Sequence, residues 1–189
     1  IYQDRWKFFT DGLQITFIVT IGALVLGVII GLIIAIIRTL NDSFVNKKPP
    51  VVLRVINSFC KLYLTVIRGT PMMVQLLIMG FVIMVPKSEF GMILCGIITL
   101  GINSGAYVAE IARSGLMSIN VGQTEAGRAL GLTGKTTMIK IVIPQAIKNV
   151  IPAIGNELIA LIKETSIVSM IGMYDLTMAA KIIGSGNNM

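Results

Sequence analysis

Three carboxylates, Glu110, Glu157 and Glu164, sit in stretches of sequence that are otherwise apolar. Thr99, Asn103, Tyr107, Glu110 and Ser114 recur at i, i+4, i+8, i+11 and i+15. At about 100° per residue they share one face of a helix. A polar stripe of this kind facing lipid would be costly, so it faces protein or a water-filled cavity. Two readings stand side by side for it: hydrogen bonding between helices, including an ion pair between Glu110 and Arg113, or a polar pathway. Glu157 and Glu164 are seven apart and share a face, while Lys163 points about 100° away from its neighbour. A carboxylate at membrane depth must be paired or solvated, by a base of the chain or by the cation of a bound molecule. Lys163 and Glu164 fit a gate or an ion pair. The chemistry on offer is reversible binding, not bond making. Histidine is absent, which excludes imidazole catalysis and His-ligated metals. Cys60 and Cys95 lie at no motif spacing and fit buried packing thiols. The methionines are likewise packing residues. The sequence therefore gives no catalytic residue and no metal site.

These residues must be positioned by membrane-spanning helices. Of the 189 residues, 54% are hydrophobic and 13% charged, and the mean hydropathy is +0.85. Soluble domains carry roughly twice that charge. Residues 12–37, 69–86 and 90–109 hold no charged side chain, and a crossing needs about 20 such residues. A fourth apolar stretch, 150–174, contains Glu157, Lys163 and Glu164. Residues 41–50 form a polar loop closed by Pro49-Pro50. Residues 51–67 have apolar positions at helical spacing and read as an amphipathic helix near the membrane surface. Pro71 suits the first turn of the second span, Pro152 suggests a kink early in the fourth, and 175–189 is left as a short tail.

The net charge is 16 − 9 = +7. Arg38, Lys47, Lys48, Arg54, Lys61 and Arg68 fall between spans one and two, and Arg113, Arg128, Lys135, Lys140 and Lys148 between spans three and four. The other side holds only Arg5, Lys7, Lys87 and Lys181. By the positive-inside rule the richer side is cytoplasmic and the amino terminus is outside. The basic excess needs no nucleic acid.

Residues 113–148 are too polar for lipid and form a cytoplasmic loop of helices. Within it, Glu125-Ala126-Gly127-Arg128-Ala129-Leu130-Gly131 is followed, nine residues later, by Ile141-Val142-Ile143-Pro144. This resembles the EAA signature of binding-protein-dependent ABC importer permeases, with Gly127 for the third alanine position and Ile143 for leucine. Arg68-Gly69-Thr70-Pro71, Asn103-Ser104-Gly105-Ala106-Tyr107, Pro144-Gln145-Ala146, Gly155-Asn156-Glu157-Leu158-Ile159-Ala160 and Lys163-Glu164-Thr165-Ser166 are similar to the polar amino-acid uptake class. The likeness covers nearly the whole chain.

The resemblance implies an all-α integral membrane protein with the type I ABC importer permease bundle. It implies a single transmembrane domain over 1–189, with a coupling loop at about 117–146. Such permeases have five helices, so four spans are expected here and a fifth beyond Met189. Within that bundle the polar residues Asn103, Tyr107, Glu110, Glu157 and Ser166 are the candidates for the substrate pathway, beside the packing reading given above, and the resemblance implies Glu125, Ala126, Gly127, Ala129, Leu130 and Gly131 on the ATPase-coupling element. The implied partners are cytoplasmic ABC ATPase subunits, a second permease subunit (identical or homologous), an extracytoplasmic amino-acid-binding protein and the bilayer of the bacterial inner membrane. The implied role is non-catalytic, with no cofactor on this chain and ATP with magnesium on the partner subunit.

The loop also has a physical logic. Residues 125–130 favour helix, Gly131 is a helix stop, and Thr124 or Gln123 is a candidate cap. Gly134-Lys135-Thr136 looks like the end of a phosphate-binding loop, but Ala129 stands where that motif needs glycine. Two other readings compete. In one the acids serve an ion-gradient-driven secondary amino-acid transporter; in the other the chain is a membrane scaffold. Glu110 and Glu157 lean toward a cationic amino acid, with glutamine and other polar amino acids left open.

Overall fold

A computed structural model describes residues 5–44 and 48–185. Lys47 and the polar end of the tail (186–189) lie outside the described residues. Every regular element among them is helical. Helix α1 (Arg5–Asp42) has 38 residues and is therefore about 57 Å long, well beyond the ~30 Å of a hydrocarbon core. Helix α2 (Val51–Gly69) starts directly after Pro50 and ends before extended Thr70, the conformation that a following proline imposes. Pro71 stands just before α3 (Met72–Ile78), which continues as a π turn, Met79–Ile83.

The second span is not a straight helix over 69–86. The chain bends by 105° between α2 and Met72–Ile83. Among the described residues three helices are long and apolar enough to cross a membrane, or four if the bent pair counts as one. The α3 arm alone is short of a crossing by length.

Ser88 caps α4 (Glu89–Met117) by accepting from the Gly91 amide at 3.1 Å. Helix α5 (Val121–Ala129) is capped by Asn120, whose Oδ1 accepts from the Gly122 amide at 2.8 Å. The cap is thus one turn earlier than Gln123 or Thr124. Thr133 caps the short α6 (Gly134–Thr137), a π turn follows at Met138–Val142, and α7 (Ile143–Glu164) runs on into a 3-10 turn, Thr165–Ile171. Together these form one helical rod, Gly134–Ile171, which begins well before position 150 and passes through Pro152. Gly134-Lys135-Thr136 is a capped helical turn.

The tail is not structureless. Asp175, 1% exposed, accepts from the amides of Met178 and Thr177 at 3.0 and 3.2 Å and starts α8 (Leu176–Ser185). The Leu176 amide also donates to Thr16 of α1 at 3.2 Å, so α8 is tied back to the first helix.

The fold is built around α1 against α4. Each carries two glycines four apart: Gly27 and Gly31 face Ser104 and Val108, while Gly101 and Gly105 face Leu26 and Ile30. A Cβ at any of the four would lie within 3 Å of the opposite helix. Small residues at this spacing let two backbones approach, which is what drives helix association where water cannot. Val19, Ala23, Cys95, Leu100, Leu161 and Val168 fill the main core, and Cys60 joins Ile34 and Leu64 in a second cluster. Both cysteines are buried and free.

Candidate pathway and coupling surfaces

The polar face of α4 is committed almost residue by residue. Thr99 returns its hydroxyl to the Cys95 carbonyl at 2.6 Å. Asn103, 4% exposed, donates to Gln75 Oε1 at 3.2 Å. Gln75 in turn donates to the Ile67 carbonyl at 2.8 Å and to the Thr70 carbonyl and hydroxyl at 3.1 and 2.7 Å. The last carbonyls of a helix have no partner inside it, so one amide both closes the end of α2 and fixes the bend. Gln75 was not singled out in the sequence; the only signal is an amide four residues after a proline inside an uncharged run.

One turn along, Arg68 stacks over the Tyr107 ring, 5.7 Å from its centroid. Glu110 accepts from Arg38 of α1 at 2.8 Å and lies 3.9 Å from Arg68. It does not pair with Arg113, which binds Asp42 at 2.8 Å instead. A glutamate and an arginine three apart leave the same helix in similar directions, and the neighbouring helix offers each a closer opposite charge. Arg38, Lys61, Thr65, Arg68 and Glu110 line a cavity of about 450 Å³. Glu157 is not among the residues lining it.

Ser114 belongs to a second cleft, about 280 Å³, where α4 meets α7 through Ser118 and Asn149. The Asn149 amide donates to the Ser118 hydroxyl at 2.8 Å. Glu157 lies on α7 beside Ser104, whose buried hydroxyl lacks a hydrogen bond of normal geometry. Among the described residues Glu157 has no ion pair. Glu164 stands within electrostatic reach of Glu157. Lys163 and Glu164 make no ion pair with each other; Lys163 is exposed and its carbonyl accepts from Ser166 at 2.7 Å.

The third surface is α5. Leu130 is 80% exposed and Val121 and Met117 are each 70% exposed, while Glu125, Ala126 and Ala129 are also on the outside. Gly131 ends the helix with φ of +79°, a conformation that glycine adopts at no steric cost. Gly127 faces inward: a Cβ there would lie 2.7 Å from Thr137 Cγ2. This close approach explains glycine at the third position of the signature.

The family described as the binding-protein-dependent transport system inner membrane component matches residues 52–189. The putative glutamine transport system permease protein of Rickettsia prowazekii is 37% identical over 183 residues, which cover 96% of this chain and 79% of that protein. The L-cystine transport system permease protein of Bacillus subtilis is 34% identical, with 99% and 75% covered. The crystal structure of an amino acid ABC transporter with histidines is similar at a TM-score of 0.82 and 41% identity, over 97% of this chain and 80% of that one. A methionine ABC transporter in an inward-facing conformation shares the fold, with a TM-score of 0.75 at 18% identity.

Proposed function

The chain belongs to the family of binding-protein-dependent transport inner membrane components, and from that premise we propose that it forms the membrane pathway of an ATP-driven importer of polar amino acids. The observation that carries this reading is α5. It is a short, capped, glycine-terminated helix between two membrane helices, and its apolar side chains Leu130 and Val121 are uncovered. An uncovered apolar patch on a rigid element marks a docking surface. In this reading a cytoplasmic ATPase grips α5 through Glu125, Ala126, Ala129 and Leu130, while Gly127 and Gly131 set its seat and its end. The relatives that carry glutamine and cystine, and the neighbour solved with histidines, support the cargo class.

The amino terminus then lies outside and α5 in the cytoplasm, as the distribution of basic residues suggests. A second permease subunit covers the exposed side of α7, and an external binding protein delivers the cargo. Every amino acid brings an ammonium and a carboxylate, so its path needs an acceptor and a donor. Glu157 is the acceptor we favour, because it has no counter-ion among the described residues while Glu110 is held by two arginines. Asn103, Tyr107 and Glu110 act on the pathway through the α2–α3 bend they hold. Ser166, Lys163 and Glu164 sit at the end of α7 and serve as its gate. ATP bound by the partner closes the ATPases, α5 transmits the movement, and the helices rock between two access states. No bond in the cargo is made or broken.

The test is Glu125→Lys. Glu125 is exposed, so the fold should be unaffected, while co-purification with the ATPase or coupling of ATP hydrolysis to uptake is lost. Normal coupled uptake by this variant in proteoliposomes would sink the proposal.

A further inference from the structure

Helix α2 has three faces rather than two. Asn57, Cys60 and Leu64 are buried against the bundle. Arg54, Lys61, Thr65 and Arg68 recur at helical spacing on a second face. Val55, Phe59, Leu62 and Val66, one position along from that row, form a third face and are 49%, 67%, 59% and 49% exposed. Cations and an uncovered apolar wall therefore stand side by side on one helix that carries no acidic residue.

The cation row opens into the cavity of about 450 Å³ between α1, α2 and α4. Arg38, Lys61 and Arg68 bring three positive charges and Glu110 one negative, leaving 3 − 1 = +2. Glu110 is taken up by Arg38 at 2.8 Å and is only within 3.9 Å of Arg68. Lys61 has no carboxylate partner among the described residues. The level of the cavity is also defined. Arg38 closes the uncharged run of α1, and the Arg38–Glu110 and Asp42–Arg113 pairs lie where α1 and α4 leave their apolar stretches. That is the depth of lipid head groups.

We infer that this cavity binds the phosphate head group of an anionic phospholipid, with the acyl chains laid along Val55, Phe59, Leu62 and Val66. Lys61 and Arg68 face the phosphate, and Arg38 contributes while it orients Glu110. A free phosphate shares the head-group chemistry but gains nothing from the apolar face. Basic pockets between membrane helices are suited to such head groups, at about 1 kcal/mol per basic residue. The site is independent of which amino acid is carried.

The test uses the assembled importer in phosphatidylcholine nanodiscs with a rising fraction of phosphatidylglycerol. Phosphatidylglycerol retained per chain is read by native mass spectrometry. Lys61→Gln should weaken retention about fivefold, and Lys61→Gln with Arg68→Gln about 25-fold, from the same per-residue figure. Lys61→Arg should restore it, and Lys140→Gln, elsewhere on the chain, should leave it unchanged. If Lys61→Gln does not assemble, Arg68→Gln alone carries the same reading. Wild-type retention in these glutamine variants would overturn the site. Equal stabilisation by inorganic phosphate without anionic lipid would overturn the lipid, and displacement of phosphatidylglycerol by glutamine would assign the cavity to the transport path instead.

Discussion

In the most apolar 18-residue stretch of α4, 61% of positions are buried; in the corresponding 18-residue stretch of the rod that contains α7, only 11% are. Both helices carry polar side chains into the membrane region, and the difference shows what each is for. Asn103, Tyr107 and Glu110 of α4 each have a partner from another helix. Glu157 of α7 has no ion pair among the described residues, and Lys163 stands exposed. A charge left unpaired at membrane depth is costly, so among the described residues α4 is the more self-contained of the two helices.

The comparison can be broken most decisively at glycines. A Cβ on Gly31 would lie 2.7 Å from Val108 and 2.8 Å from the backbone of Ala109, and backbone cannot yield cheaply. Gly31→Leu should cost about 3 kcal/mol or abolish insertion. Gly155 of α7 has nothing within 4 Å, so Gly155→Leu should change the stability of the chain by less than about 1 kcal/mol. Reversible unfolding in mixed detergent micelles measures both. Equal losses would mean that α7 is as internal as α4. A loss for Gly155→Leu confined to the assembled importer would sharpen the contrast.

A smaller effect separates the two carboxylates. Glu110→Gln leaves the guanidinium of Arg38, whose side chain is 15% exposed, without its charged acceptor. The expected cost is about 2 kcal/mol, in the range for hydrogen bonds to charged groups. Glu157→Gln removes a carboxylate that has no counter-ion among the described residues, so unfolding should be unchanged while uptake into proteoliposomes falls. A destabilised Glu157→Gln with normal uptake would make Glu157 a structural group and remove it from the pathway.

The pairing that distinguishes α4 from α7 was only half legible in the sequence. The uncharged runs placed α1 and α4, and the signature spacing placed α5 and Gly131, because composition and local periodicity are enough for both. The partner of Glu110 was not legible. Arg38 lies 72 positions upstream, and only the packing of α1 on α4 brings it closer than Arg113. The start of the rod at Gly134 was missed because Lys135, Lys140 and Lys148 hide a helix whose hydropathy is low. The bend after α2 was half visible in Thr70-Pro71, but its lock, Gln75, is one neutral amide. Helix α8 was missed because Asp175 reads as a polar tail until its two capping bonds are seen.

The smallest effect concerns how α7 is fastened at its base. Its rod begins at α6, and there Thr137, fully buried, meets the inward face of α5 at Gly127. A Cβ at position 127 would lie 2.7 Å from Thr137 Cγ2, 2.8 Å from Oγ1 and 3.3 Å from Ile141. Gly127→Ala should therefore cost about 1 kcal/mol, although alanine is the better helix former and matches the signature. Thr137→Ala should cost a similar amount by leaving a gap. The double variant should cost less than the sum by about 1 kcal/mol, because each change removes the other's conflict. Additive losses would mean that α5 and the rod move independently. A measured coupling makes this contact the point where a push on α5 reaches α7.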